Sequence, residues 1–311
     1  MSRTFSIMQV HPDQVLESEQ MGSKEKFWFR DPEDPAERDW LFKFPTPGTG
    51  QHWAEKIAYE IACEMRIVAP RVELAEFEGK RGSATLSFTK VRSGRTFERY
   101  ELFHGNQILA GMDAAYDPDR AGRHPMHTVQ RIFRSMDIFQ SREYAESCRV
   151  KLAEYLVFDA LIGNVDRHHE NWGILRKQLK DCGYRGRLAP SFDHASSLGR
   201  ELVDEGGKQS RKRYLDDLGV EKYSERASGA VFVDETSKRG PSPLKLVKWC
   251  LAHNDFSRYF RPSLKKLDSI NPSAMKRATE RIPDSWMGDL PRGFVIDLFR
   301  VNLETLKDYE L

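Results

Sequence analysis

Cysteine is scarce and scattered. Cys63, Cys148, Cys182 and Cys250 are the only four in 311 residues, and no two are close enough for a Cys-x-x-Cys pair. That excludes zinc-finger and thioredoxin-type motifs, and we read the four as reduced thiols with structural roles. Long apolar runs are missing too, so a membrane span is not expected. The opening MSRTFSIMQVHPDQ has no apolar signal-peptide core, which points to a cytoplasmic protein. An excess of one charge is also absent: Lys and Arg outnumber Asp and Glu by only two. We therefore expect no direct nucleic-acid contact and no membrane contact. Finally, there is no internal repeat and no complete glycine-rich phosphate signature.

What is present is enough apolar and aromatic material, 39% and 11% of the chain, to fill a core, which excludes global disorder. The first hundred residues read as short strands (TFSIMQV, KFWFR, DWLFKFP, RVELAEF, SATLSFTKV), with a turn at EGKRG. One helix runs from about His52 to Arg66, with Trp53, Ile57, Ile61 and Met65 on one face. From about residue 105 the pattern becomes helical. MHTVQRIFRSM is amphipathic, and REYAESCRVKLAEYLVFDALIG reads as a buried central helix that stops at Gly163-Asn164. LVKWCLAH and GFVIDLFRVNLETLKDY are further helices, and residues 199–241 read as either a mobile segment or a solvated surface. The expected fold class is α+β with two lobes: a sheet-rich lobe over 1–104 that binds nucleotide, and a helical lobe over 105–311 that carries the catalytic loop and metal site.

The stretch LIGNVDRHHENWGIL packs Asp166, His168, His169, Glu170 and Asn171 into six positions just past the buried helix. A second carboxylate, Asp193, follows 27 residues after Asp166 in LAPSFDHASSLG. WGILR and RLAPSFD make a plausible hairpin that returns Asp193 to the loop. Two Asp and an Asn converging on one point suit a hard cation such as magnesium, and phosphoryl transfer uses that arrangement. It also needs a cation on the nucleotide phosphates. Lys43 lies inside an apolar strand, where an unpaired lysine is costly, and Glu55 on the following helix is placed to pair with it.

GNVDRHHENWGIL followed by LAPSFDHASSLG resembles the catalytic loop and metal-binding segment of HipA-like serine/threonine kinases, the toxin kinases of bacterial toxin–antitoxin systems. The DRHHEN loop is also similar to that of phosphoinositide 3- and 4-kinases. The resemblance implies a two-lobed protein-kinase-like fold, with ATP and Mg2+ as cofactors. It implies Asp166 as the catalytic aspartate, with His168 facing the transferred phosphate. Asn171 and Asp193 become metal ligands, and Lys43 with Glu55 the ATP-binding pair. Gly22, Ser23 and Lys24 occupy the place of the phosphate-binding loop, Ser23 being the autophosphorylation candidate. SFTKVRSG takes the place of the segment that touches adenine. The helix ends in Met65-Arg66-Ile67, where the family has Leu-Gly-Leu. The implied partners are a protein substrate with a serine or threonine hydroxyl and an antitoxin protein; we expect a short member of the family, without the extra N-terminal subdomain of full-length HipA. Three other readings stand beside this one. The first is a kinase of lipid or small-molecule hydroxyls, with the basic KQSRKR as its docking patch; the second is a pseudokinase binding module. The third is a zinc site at His168 and His169 with His194 or Cys182, which matches no common zinc spacing.

Overall fold

The computed structural model describes residues 4–18, 25–32, 34, 38–93, 96–120, 122–179, 183–206 and 208–309. The chain forms the two expected lobes, of mixed α and β structure. In the first, six strands make one sheet: β1 (Ile7–Val10), β2 (Val15–Ser18), β3 (Lys26–Arg30), β4 (Asp39–Lys43), β5 (Val72–Phe77) and β6 (Lys80–Leu86), in the order β1-β5-β6-β4-β3-β2. Only β1 and β5 run parallel. Because side chains alternate across a strand, β4 buries Trp40 and Phe42 on one face. There Phe42 stacks on Phe27 at 5.0 Å. The register then sets Trp28, Leu41 and Thr85 in one cross-strand row on the other face, and Lys26, Lys43 and Ser83 in the next. Both rows line a cleft. The β5–β6 turn is only Glu78-Gly79, both at positive φ (49° and 72°), as a two-residue hairpin requires. EGKRG was too long a reading: Lys80, Arg81 and Gly82 are strand.

Helix α1 (Gln51–Glu64) packs on this sheet and carries the expected face: Trp53, Ile57 and Ile61 are buried. After a small hairpin, β7 (Lys90–Ser93) with β8 (Thr96–Arg99), strand β9 (Glu101–His104) leaves the first sheet. It pairs instead with β10 (Gly173–Gln178), which pairs with β11 (Tyr184–Leu188). The predicted hairpin is therefore real, with a third strand that sequence reading missed. A Cβ at Gly173 would lie 2.3 Å from the Phe103 carbonyl, so only glycine fits that crossing.

Helices α2 (Gly105–Met112) and α3 (Val129–Arg134) lead into α4 (Arg142–Ile162). The expected amphipathic helix is shorter than read: Thr128 caps it and residues 135–138 tighten into a 3-10 turn. Helix α4 is the axis of the second lobe, buried almost all round toward its end, and it terminates where read, at Gly163 with φ 65°. Helices Pro243–Ala252, Asn254–Lys266 and Asp289–Asp308 surround it. The 199–241 stretch is not simply a solvated surface. Tyr214 is fully buried against Phe294, and Arg211 is buried as well. No helix among the described residues is long and apolar enough to cross a membrane.

Candidate active site

The cleft between the lobes has a volume of about 800 Å3 and gathers most of the residues singled out from sequence: Lys43, Glu55, Asp166, His168, Glu170, Asn171 and Asp193. Gly22, Ser23, Lys24 and Cys182 lie outside the described residues.

Lys43 sits between two carboxylates. Its Nζ is 3.3 Å from Glu55 Oε1 and 3.2 Å from Asp193 Oδ1. The strand supplies the lysine, α1 the glutamate and the second lobe the aspartate, so three separate segments meet at one ammonium. Ser83, beside Lys43 in the sheet, donates to the other Glu55 oxygen at 3.1 Å. Burial alone would depress the lysine; the charges of Asp193 and Glu55 outweigh it and hold its pKa above the ordinary value. Lys43 is thus a permanent cation. Asp193 is not at a strand end as read, because β11 stops at Leu188. It stands on the following loop with φ 57°, a left-handed conformation that Asp tolerates better than most residues.

The loop after α4 folds on itself. The Asp166 carbonyl accepts from the His168 amide (2.8 Å) and from Asn171 Nδ2 (2.7 Å). With its Nδ2 engaged, the Asn171 amide has its oxygen as the remaining acceptor. An amide oxygen and the Asp193 carboxylate are hard oxygen donors of the kind magnesium takes, so the donor set fits that ion. Asp166 Oδ2 accepts from Ser196 Oγ at 3.1 Å, and Ser196 Oγ in turn accepts from Arg200 Nη2 at 3.2 Å.

Two residues that sequence reading passed over hold this loop in place. Arg167 and Asp159 are almost fully buried. Arg167 Nε and Nη2 donate to the two Asp159 oxygens at 2.7 and 2.8 Å, the bidentate geometry that suits arginine. Its remaining donors reach the Asn171 carbonyl (2.7 Å), the Phe192 carbonyl (3.2 Å) and Ser191 Oγ (2.9 Å). One guanidinium therefore ties α4, the 166–171 loop and the segment before Asp193 together. The available signal was a carboxylate inside the apolar VFDALIG, which must find a partner.

The histidines divide by environment. His168 lines the cleft. His169 is buried and its Nδ1 is hydrogen-bonded to Tyr116 Oη at 2.8 Å; burial, with His168 nearby, pushes its pKa down to about 4. His168, His169 and Glu170 do bring possible ligand atoms within 4.8 Å of one another. His194 is not among them: it is buried, its Nε2 lies 2.7 Å from Ser191 Oγ, and burial drives its pKa well below normal. Glu170 is half-buried, and its carbonyl faces His104 Nδ1 at 2.6 Å. The apolar end of the cleft is built from Leu41, Leu86, Phe88, Leu102 and Phe192, with Phe88 and Phe192 rings 5.1 Å apart.

The crystal structure of the Helicobacter pylori proinflammatory kinase CtkA is similar over nearly the whole of both chains: TM-score 0.70, 17% identity, 91% of this chain and 93% of that one. Shewanella oneidensis HipA, solved in its toxin–antitoxin complex with HipB and operator DNA, is similar with TM-score 0.58 and 12% identity, over 94% of this chain and 67% of that one. At these identities the likeness is one of fold. No curated protein matches the chain by sequence. The model of the HipA-like C-terminal domain matches residues 19–239, well over half the chain, and the protein belongs to that family.

Proposed function

We propose that this protein is an ATP- and magnesium-dependent serine/threonine protein kinase of HipA type. The observation that carries the reading is the Lys43 ammonium held between Glu55 and Asp193, in the same cleft as Asp166 and Asn171. In this reading Lys43 binds the nucleotide phosphates, and Leu41, Leu86, Phe88 and Phe192 take the adenine ring. The site residues 43, 55, 166, 168, 171 and 193 and the boundary at residue 104 belong to the proposal. Asp166 keeps Oδ2 on Ser196 and offers its second oxygen to the substrate hydroxyl, orienting it and taking its proton. Asn171 and Asp193 would hold magnesium, which supplies positive charge to the phosphate oxygens when bound.

Incubation with γ-labelled ATP and magnesium tests this directly. We expect label on the chain itself or on added protein, and none with Asp166→Asn. Equal labelling by a well-folded Asp166→Asn variant refutes the assignment. Self-labelling at Ser23 belongs to the same proposal. So do a cytoplasmic location and an antitoxin partner, since the HipA neighbour was solved with HipB. We assign the chain no direct nucleic-acid contact because its charges nearly cancel, although the HipA complex includes operator DNA.

A further inference from the structure

A second cavity, of about 640 Å3, lies behind the link at residues 86–88. Leu86, Ser87 and Phe88 line both it and the front cleft, so one short stretch of backbone is a wall to each. The rear cavity lies between that link and α4, whose Tyr144, Lys151 and Tyr155 recur at helical spacing and face it; Arg187 of β11 also lines it.

The two cavities differ in charge. In front, five carboxylates (Glu55, Asp119, Asp166, Glu170, Asp193) outnumber Lys26, Lys43 and Arg120. A phosphate entering there needs a metal to offset them. At the rear, Arg38, Lys90, Lys151 and Arg187 stand against Asp34 alone, and Asp34 is already paired with Arg38 at 2.7 Å. An anion needs no metal there.

Arg187 is the most informative group. Its guanidinium lies over the Tyr100 ring at 4.6 Å, and its Nε is buried with no hydrogen-bond partner among the described residues. Arg211 Nε is in the same state, whereas the buried Arg167 of the 166–171 loop makes five hydrogen bonds. Arg187 as a whole is half-buried and lines the cavity, so the rest of its guanidinium is a charged donor that an anion entering there can meet. Lys151, exposed on the same wall, has no carboxylate within ion-pair distance among the described residues. Phe88, Phe97, Tyr144 and Tyr155 give the cavity flat apolar surface, and its size falls in the roughly 300–1,000 Å3 range of small-molecule pockets.

We infer that the rear cavity is a metal-independent site for a small aromatic anion. Its phosphate or carboxylate sits on Arg187 and Lys151, and its ring lies among Phe88 and Phe97. A ligand there presses on residues 86–88 from the side opposite the front cleft. The proposal does not depend on the kinase reading.

Fluorescence titration of the full chain with 1-anilinonaphthalene-8-sulfonate, in EDTA, tests it. We expect one saturable site. Its Kd should rise tenfold or more in Arg187→Gln/Lys151→Gln and stay within twofold of wild type in Lys43→Met. Phenyl phosphate or benzoate should displace the dye, the stronger competitor telling phosphate from carboxylate, while benzyl alcohol should not. Absence of a saturable site, an unchanged Kd in the double variant, loss of binding in Lys43→Met, or equal displacement by benzyl alcohol would each overturn the inference. Should the double variant melt early, Lys151→Glu alone, at an exposed helix position, must still weaken the dye; if it does not, the inference fails.

Discussion

Asp159→Asn tests what holds the 166–171 loop. The substitution keeps the side chain's shape, removes its charge and turns one acceptor into a donor that faces the Arg167 guanidinium. Both oxygens now accept from Arg167, and Oδ1 also accepts from Asn164 Nδ2 at 2.7 Å. Arg167 is 5% exposed and Asp159 2%, so water cannot replace what is lost. Removing one partner of such a buried pair costs about 3–5 kcal/mol, whereas an exposed pair would be worth under about 1 kcal/mol. Urea unfolding at pH 7 with linear extrapolation measures the difference. A double variant, Asp159→Leu/Arg167→Met, separates stability from positioning. Apolar replacement of a whole buried pair is often nearly neutral, so this variant should recover most of the lost stability. It should still bind nucleotide poorly, because the carbonyls of Asn171 and Phe192 no longer share a donor. A loss within about 0.5 kcal/mol for Asp159→Asn, the range of an ordinary surface change, refutes the structural argument. Wild-type nucleotide binding by the double variant refutes the positioning argument.

Asp193→Ala should weaken magnesium-dependent ATP binding, measured by calorimetry, more than Asp166→Asn does; equal losses would mean the two roles are misassigned. Ser196→Ala should lower the rate of phosphate transfer about tenfold or more, in line with general-base effects. It should leave ATP affinity unchanged, because it frees the Asp166 carboxylate without touching Lys43. His127 gives a pH prediction. It is buried, with Nδ1 2.9 Å from the Ala230 carbonyl, and its Nε2 accepts from Trp172 Nε1; burial pushes its pKa down to about 3. The unfolded chain takes up this proton near pH 6.5 and the folded one does not, so the stabilisation is complete above about 6.5 and is lost as pH falls toward 3. Between pH 7 and pH 5 that amounts to about 2 kcal/mol. Urea unfolding at both pH values should show a correspondingly smaller drop for His127→Gln than for wild type.

The groups that meet in the cleft were legible because each carries a local signal. Lys43 is a charge in an apolar strand, Glu55 follows on the next helix, and the polar cluster around Asp166 interrupts two apolar runs. Their convergence was partly legible too, through the β10–β11 hairpin. What escaped was long-range. Strand β9 pairs with β10 across some seventy residues, and nothing in YELFH announces that partner. Asp159 and Arg167 are eight residues apart, but the helix end between them hides that they touch. Charged composition at 199–241 suggested solvent. It missed that Arg211 is buried and donates to the Gly199 carbonyl, so that a basic residue can be part of an interior.

Arg200 reaches in two directions. Its carbonyl accepts from the Gly50 amide, at the start of α1, at 2.8 Å, while its guanidinium reaches Ser196 and through it Asp166. A side chain at residue 50 would run into the Trp53 ring, so the α1 start is pinned close to this contact. A shift of α1 that displaces its start breaks the bond to Arg200, and so tugs on the residue that steadies the aspartate. The two halves of the cleft are therefore linked through one residue: displacing the start of the lysine's partner helix also unsettles the opposite wall, much as lifting one end of a lever moves the other.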